Sequence, residues 1–117
     1  MIFYNKQNIT KNDINYVVKS LKSNFITKGP ILKKFEKKIS KSFKSKYCVV
    51  TSNATSSFYI VSKVLNWSEK DNIILSPMTF VAAANSIISS RAKPIFVDIC
   101  DKDQNLDADL VEKKIKE

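Results

Sequence analysis

Tyr47-Cys48-Val49-Val50-Thr51-Ser52-Asn53-Ala54-Thr55-Ser56 is the stretch on which the fold turns. Its first five residues are a short apolar run of strand type. The next five form a polar turn that leads straight into a helix, whose buried face is marked by Ile60, Val61, Val64 and Leu65. The pattern then repeats downstream. Asn72-Ile73-Ile74-Leu75-Ser76 reads as a second strand, closed by Pro77, and an alanine-rich helix follows over about 79–90. Pro94 to Ile99 reads as a third strand. Asp107 to Ile115 reads as a further helix, with Asp107 placed to cap it. Apolar strands alternating with helices imply parallel strands covered on both faces, an α/β fold.

Upstream lie two amphipathic helices. Thr10-x-x-Asp13 is a capping-box start, and Ile14, Val17, Val18 and Leu21 recur at helical spacing, which predicts a helix over roughly 11–23. Phe25-Ile26-Thr27-Lys28-Gly29-Pro30 is a punctuated loop. Pro30 suits the first turn of a second helix, whose stripe is Leu32, Phe35, Ile39 and Phe43. Gly29 is the chain's single glycine, so Asn, Ser, Lys and Arg must fill the turn positions that glycine usually takes, some of them under strain.

Composition narrows the chemistry. At 117 residues, 44% hydrophobic and 26% charged, the chain has the balance of one small globular domain. No apolar run approaches the ~18 residues of a membrane span. Met1 to Thr10 lacks the apolar core of a signal peptide, so a cytosolic location is expected. Cys48 and Cys100 have neither metal nor redox spacing and read as small buried residues. Histidine is absent, which excludes a Ser-His-Asp triad, a Cys-His dyad and most zinc sites within the chain. The net charge of +9 raises the question of nucleic acid. Yet Lys33, Lys34, Lys37, Lys38, Lys41, Lys44 and Lys46 fall among helix-forming residues and read as solvated faces.

The first strand-to-helix turn is the candidate site. A polar turn at a strand's carboxyl end presents free N–H groups at a helix N-terminus, where the helix dipole favours an anion. Thr55 and Ser56 would offer N–H groups and hydroxyls to a phosphate, with Asn53 aimed into the same turn. Pro77-Met78-Thr79-Phe80 also follows a strand, and Phe80 there could stack on a flat ring. Each feature has a plainer reading, a helix cap in the first case and a core aromatic in the second.

The order of these segments, with Phe35-Glu36, Ser76 to Ile87 and Ala92 to Ile99, resembles the DegT/DnrJ/StrS family. These are fold-type-I enzymes dependent on pyridoxal 5'-phosphate. Most transfer an amino group, usually from glutamate, to a nucleotide-linked keto-sugar, and the family's full-length enzymes are homodimers. The resemblance covers nearly all of this chain but only the front third or so of a family member. It implies the N-terminal part of the large domain: a helical segment over 1–45, then an incomplete cofactor-binding α/β unit over 46–117 with three parallel-type strands. It implies that Thr55 and Ser56, with Asn53, hold the cofactor phosphate and that Phe80 stacks on its ring. Phe25, Thr27, Lys28 and Gly29 match a loop near the sugar-nucleotide. Asp98 matches a recurrent position after the third strand. The run Pro-x-Thr-Phe-Val-Ala-x-Ala-Asn looks most like transaminases that make 4-amino-4,6-dideoxy sugars for surface polysaccharides.

The departures are also informative. Ala54 stands where many members have glycine, Lys70-Asp71-Asn72 replaces Gly-Asp-Glu, and Arg91-Ala92 replaces Gly-Ala. The family's cofactor-binding lysine, and the aspartate that pairs with the ring nitrogen, match no residue up to Glu117, so the chain alone is not expected to transaminate. The resemblance also implies that the strand at 47–51 takes its neighbour from downstream sequence. Left alone, the chain is expected to be marginally stable or to rearrange its strand pairing. Three other readings stay open: a family relative with dehydratase chemistry, a small basic nucleic-acid-binding domain, and a non-catalytic module that pairs with an intact homologue.

Overall fold

The computed structural model describes residues 6–117, so the start of the Met1–Thr10 segment lies outside the described residues. The chain divides into two compact units, one ending at Val50 and the other beginning at Thr51.

The first unit carries α1 (Lys11–Leu21) and α2 (Pro30–Ser42). The capping box forms as the sequence predicts. The Asp13 N–H donates to Thr10 Oγ1 at 3.3 Å, and the Thr10 N–H donates to Asp13 Oδ2 at 2.7 Å. Pro30 occupies the first turn of α2, and Gly29 caps that helix without a side chain. No described residue of this unit is fully buried. Leu21, Phe25 and Phe43 all stand exposed. The lysines from Lys33 to Lys46 named above are exposed too, as a solvated face requires.

The expected strand at 47–51 does not form. Tyr47 to Thr51 belongs to no ladder, and Val49 is 78% exposed. A strand is defined by its neighbour, and among the described residues none lies beside this one. Side chains take over part of the backbone satisfaction. The Val50 N–H donates to Glu36 Oε1 at 3.2 Å, and the Ser45 hydroxyl donates to the Tyr47 carbonyl.

The second unit begins with α3 (Ala54–Val64). It continues through β1 (Asn72–Leu75), α4 (Ala82–Ser89), β2 (Lys93–Phe96) and α5 (Ala108–Lys116). The strands β1 and β2 pair in parallel with α4 as their crossover, in the register Asn72↔Lys93 to Leu75↔Phe96. The three strands expected are thus two. Ile99, the end of the third expected strand, instead bridges Leu106 antiparallel. The ladder extends at both ends, with Lys93 N–H donating to Asp71 O and Val97 N–H to Leu75 O. Alternation then turns Pro94, which has no N–H, to the outer edge of β2, where a missing donor costs nothing. On β1 the same alternation turns Asn72 and Ile74 outward, and neither N–H finds a partner among the described residues.

The core is small. Leu75, Ile87 and Ala92 are buried together, with Trp67, Ile73, Ala83 and Ala84 packed against them. Ser62 on α3 and Ser86 on α4 are each 1% exposed, and the two helices pack on one another. Their hydroxyls are satisfied by their own helices, through Tyr59 O at 2.8 Å and Ala83 O at 2.7 Å. Small residues whose polar groups turn inward let the helices approach closely. Cys48 and Cys100 are half-buried rather than buried as expected, and neither lies in a helix or strand.

The turns show what a chain with one glycine must do. Lys28, Lys44, Asn66, Arg91 and Gln104 all take left-handed φ values between 47° and 66°. Arg91, in the position read as a usual glycine, sits at 66°. Gly29 itself has φ −84°, so its value is not conformational.

Candidate functional site

The candidate turn is built at the N-terminus of α3. Asn53 has extended backbone and caps the helix, its Oδ1 accepting from the Ser56 N–H at 2.8 Å and from the Ser56 hydroxyl at 3.1 Å. Ser57 closes the first helical turn, its N–H donating to the Asn53 carbonyl. The N–H groups of Ala54 and Thr55 have no acceptor among the described residues. They are open at the positive end of the helix dipole.

The three consecutive hydroxyls of this turn are sorted by their partners. Ser56 is tied to Asn53, and its oxygen also lies 3.3 Å from the Ser52 hydroxyl. Ser57 Oγ lies 2.6 Å from Thr51 Oγ1. Thr51 in turn donates to the Asn53 carbonyl at 2.9 Å. The Thr55 hydroxyl alone among the three has no partner among the described residues. Thr55, Ser56 and Ser57 are all half-buried.

The sequence pointed to Thr55 and Ser56 as equivalent donors, and the geometry separates them. Ser56 has its N–H and its hydroxyl engaged by Asn53, whereas Thr55 keeps both free. Thr51 and Ser57 were not singled out. The signal that could have found them is a hydroxyl two residues before the cap paired with one four residues after it, which one helical turn brings together.

Phe80 lies in the loop between β1 and α4, and the residue is 76% exposed rather than packed in a core. Its carbonyl accepts from the Ala83 N–H, which ties the loop to the start of α4. Asp98, at the end of the β2 segment, is exposed and bonds within its own loop. Its carboxylate accepts from the Ile99 N–H at 2.8 Å, and its carbonyl accepts from the Asp107 N–H. That geometry gives it a role in holding the turn before α5.

Phe25, Thr27, Lys28 and Gly29 belong to the first unit, in the loop between α1 and α2. Phe25, Thr27 and Lys28 are exposed, and Lys28 is in the left-handed region. Among the described residues no cluster of three or more acids and cysteines could hold a metal ion. A phosphate and a flat ring are instead what the second unit's features fit: open helix-terminal N–H groups, a free hydroxyl and an exposed aromatic.

The model of the DegT/DnrJ/EryC1/StrS aminotransferase family matches residues 7–117. An uncharacterized protein of Methanocaldococcus jannaschii is 37% identical over 93% of this chain and 28% of its own length. The UDP-4-amino-4,6-dideoxy-N-acetyl-beta-L-altrosamine transaminase of Campylobacter jejuni is 32% identical over 98% of this chain and 30% of its own length. Among solved structures, the apo form of a protein from Streptococcus pneumoniae described as a putative sugar aminotransferase superposes with a TM-score of 0.83 at 31% identity. That match covers 96% of this chain and 28% of the other. The same protein has been solved in pyridoxal-phosphate and pyridoxamine-phosphate forms. The chain therefore spans under a third of the length of these relatives. By sequence over nearly its whole length, and by fold, the chain belongs to the DegT/DnrJ/EryC1/StrS aminotransferase family.

Proposed function

We propose that this chain is the cofactor-cradling, amino-terminal part of a pyridoxal 5'-phosphate-dependent aminotransferase acting on a nucleotide-linked keto-sugar, in amino-sugar and surface-polysaccharide synthesis. The observation that carries the reading is the turn at Asn53–Ser57, with the Ala54 and Thr55 N–H groups open at the start of α3. In this reading those two N–H groups and the Thr55 hydroxyl hold the cofactor phosphate, Asn53 and Ser56 shape the turn, and Phe80 lies against the ring. Phe25, Thr27, Lys28 and Gly29 form the sugar-nucleotide loop. Residues 1–45 act as the helical segment and 46–117 as the incomplete cofactor-binding unit.

When bound, the cofactor supplies the electron sink needed to move an amino group. The chain's own residues bind and orient it, and none of the chain's lysines is given the proton-moving part. Glutamate is the amino donor, the working enzyme is a homodimer, and its place is the cytoplasm. Among the described residues no helix is long and apolar enough to cross a membrane.

The test uses pyridoxamine 5'-phosphate, the amine form, which does not condense with lysines. Titrated into the isotope-labelled chain, it is expected to shift the Ala54 and Thr55 amide signals saturably, while pyridoxamine without the phosphate leaves them in place. If neither amide responds at saturating ligand, the assignment of these two N–H groups to the phosphate is wrong.

A further inference from the structure

We propose that Thr51 and Ser57 are positioning residues for the phosphate cradle, a coupled pair of hydroxyls that fixes the direction of the Ala54 and Thr55 N–H groups. The inference rests on the reading of that turn as the cofactor-phosphate site. The oxygens of Thr51 and Ser57 lie 2.6 Å apart across the turn, and both residues are half-buried. A hydroxyl has one proton to give, and that of Thr51 goes to the Asn53 carbonyl at 2.9 Å. The proton between the two oxygens therefore belongs to Ser57, which donates to Thr51. The bonds run in one direction, from Ser57 to Thr51 to the Asn53 carbonyl. That same carbonyl also accepts the Ser57 N–H, so the loop of bonds closes on the first turn of α3.

The loop matters because of how far back along the chain it reaches. Tyr47 to Val50 has no ladder, so no sheet hydrogen bonds hold the chain where it enters α3. The hydroxyl pair is the side-chain link that runs from residue 51 into the first turn of α3. The other side-chain ties, from Asn53 to Ser56 and from Ser52 to both, hold the turn from residue 52 onward but do not reach back to residue 51. Without the Thr51–Ser57 bond the Ala54 and Thr55 N–H groups would still exist, but the chain before them could swing. A phosphate bound by two backbone donors loses affinity when their directions spread.

The experiment titrates pyridoxamine 5'-phosphate into the unsubstituted chain and into Thr51→Val, Ser57→Ala, the double variant and Thr51→Ser, reading Kd from the Ala54 and Thr55 amides. Thr51→Val and Ser57→Ala are each expected to weaken binding by about fivefold to tenfold, the size of one lost hydrogen bond. The double variant should be no weaker than the worse single, since both remove the same bond. Thr51→Ser keeps the hydroxyl and should bind within about twofold of the unsubstituted chain. Additive losses, or a Ser57→Ala variant that binds normally, overturn the proposal while leaving the phosphate site intact. Absence of any saturable shift in the unsubstituted chain overturns the site and the positioning pair together. Should Thr51→Val fail to fold, Ser57→Ala and Thr51→Ser decide the matter alone.

Discussion

A Cβ on residue 29 would stand 2.6 Å from the Cβ of Phe25. Gly29 is therefore required by the close approach of a neighbour, not by its backbone angle. Phe25 Cβ sits next to the main chain, so it cannot swing aside as the end of a long side chain would. Gly29→Ala is expected to push the loop off the first turn of α2 and destabilise it by about 1–3 kcal/mol. The Leu32 N–H, which donates to Gly29 O at 3.1 Å, is the reporter. Its hydrogen exchange should accelerate in the variant, and unchanged protection would contradict the steric argument.

Asn53 separates two effects that a single alanine would confuse. Asn53→Ala removes the acceptor for the Ser56 N–H and should cost about 1 kcal/mol in stability. Asn53→Asp keeps the cap and adds negative charge beside the helix terminus, so stability should hold while a phosphate is repelled. Melting temperature and pyridoxamine 5'-phosphate affinity are the paired readouts. Tighter binding by Asn53→Asp would place the anion elsewhere.

Arg91 at φ 66° carries strain that glycine would not. Its N–H donates to Ile88 O at 2.9 Å, and a glycine backbone keeps that bond. Arg91→Gly should therefore raise stability by about 1 kcal/mol, despite the entropy that glycine adds to the unfolded chain. Chemical denaturation measures it directly. A loss of stability would mean that the Arg91 side chain contributes more than its backbone costs.

Asp13 sets a pH dependence at the start of α1. The Thr10 N–H, and then the Thr10 hydroxyl, hold its carboxyl below the ordinary 3.8. A depressed acid stabilises the folded form fully above its unfolded value and loses that contribution as pH falls through its folded one. The first turn of α1 should thus loosen only below about pH 4. Asp13→Asn should flatten this response. Thr10 and Asp13 amide shifts followed from pH 6 to pH 2 report it, and a transition near neutrality would contradict the assignment.

Local signals carried most of the element list. Thr10 with Asp13, Pro30 and Asp107 each act through neighbours within four residues, so their roles were legible from spacing alone. The crossover from β1 through α4 to β2 followed from the same patterns. Tyr47 to Thr51 failed for a different reason. Its apolar run records a capacity to be buried, but a ladder is a relation with another strand, and no residue of the run names that partner. The candidate turn lies at the start of α3, where the sequence put it, but without the strand expected before it. What could not be read was the division of labour among Thr55, Ser56 and Ser57. Their hydroxyls are alike in sequence and differ only by where the turn points them.

The outer edges of β1 and β2 are unequal, and the inequality gives the sheet a polarity of growth. Pro94 interrupts the donors on the β2 side, so a strand laid there would meet a gap in its ladder. On the β1 side Asn72 and Ile74 present uninterrupted donors and acceptors. The two strands are thus a seed with one live end. Any further strand, from more of the same polypeptide or from another molecule, is steered to β1, and the order of a larger sheet is written into the position of one imino acid.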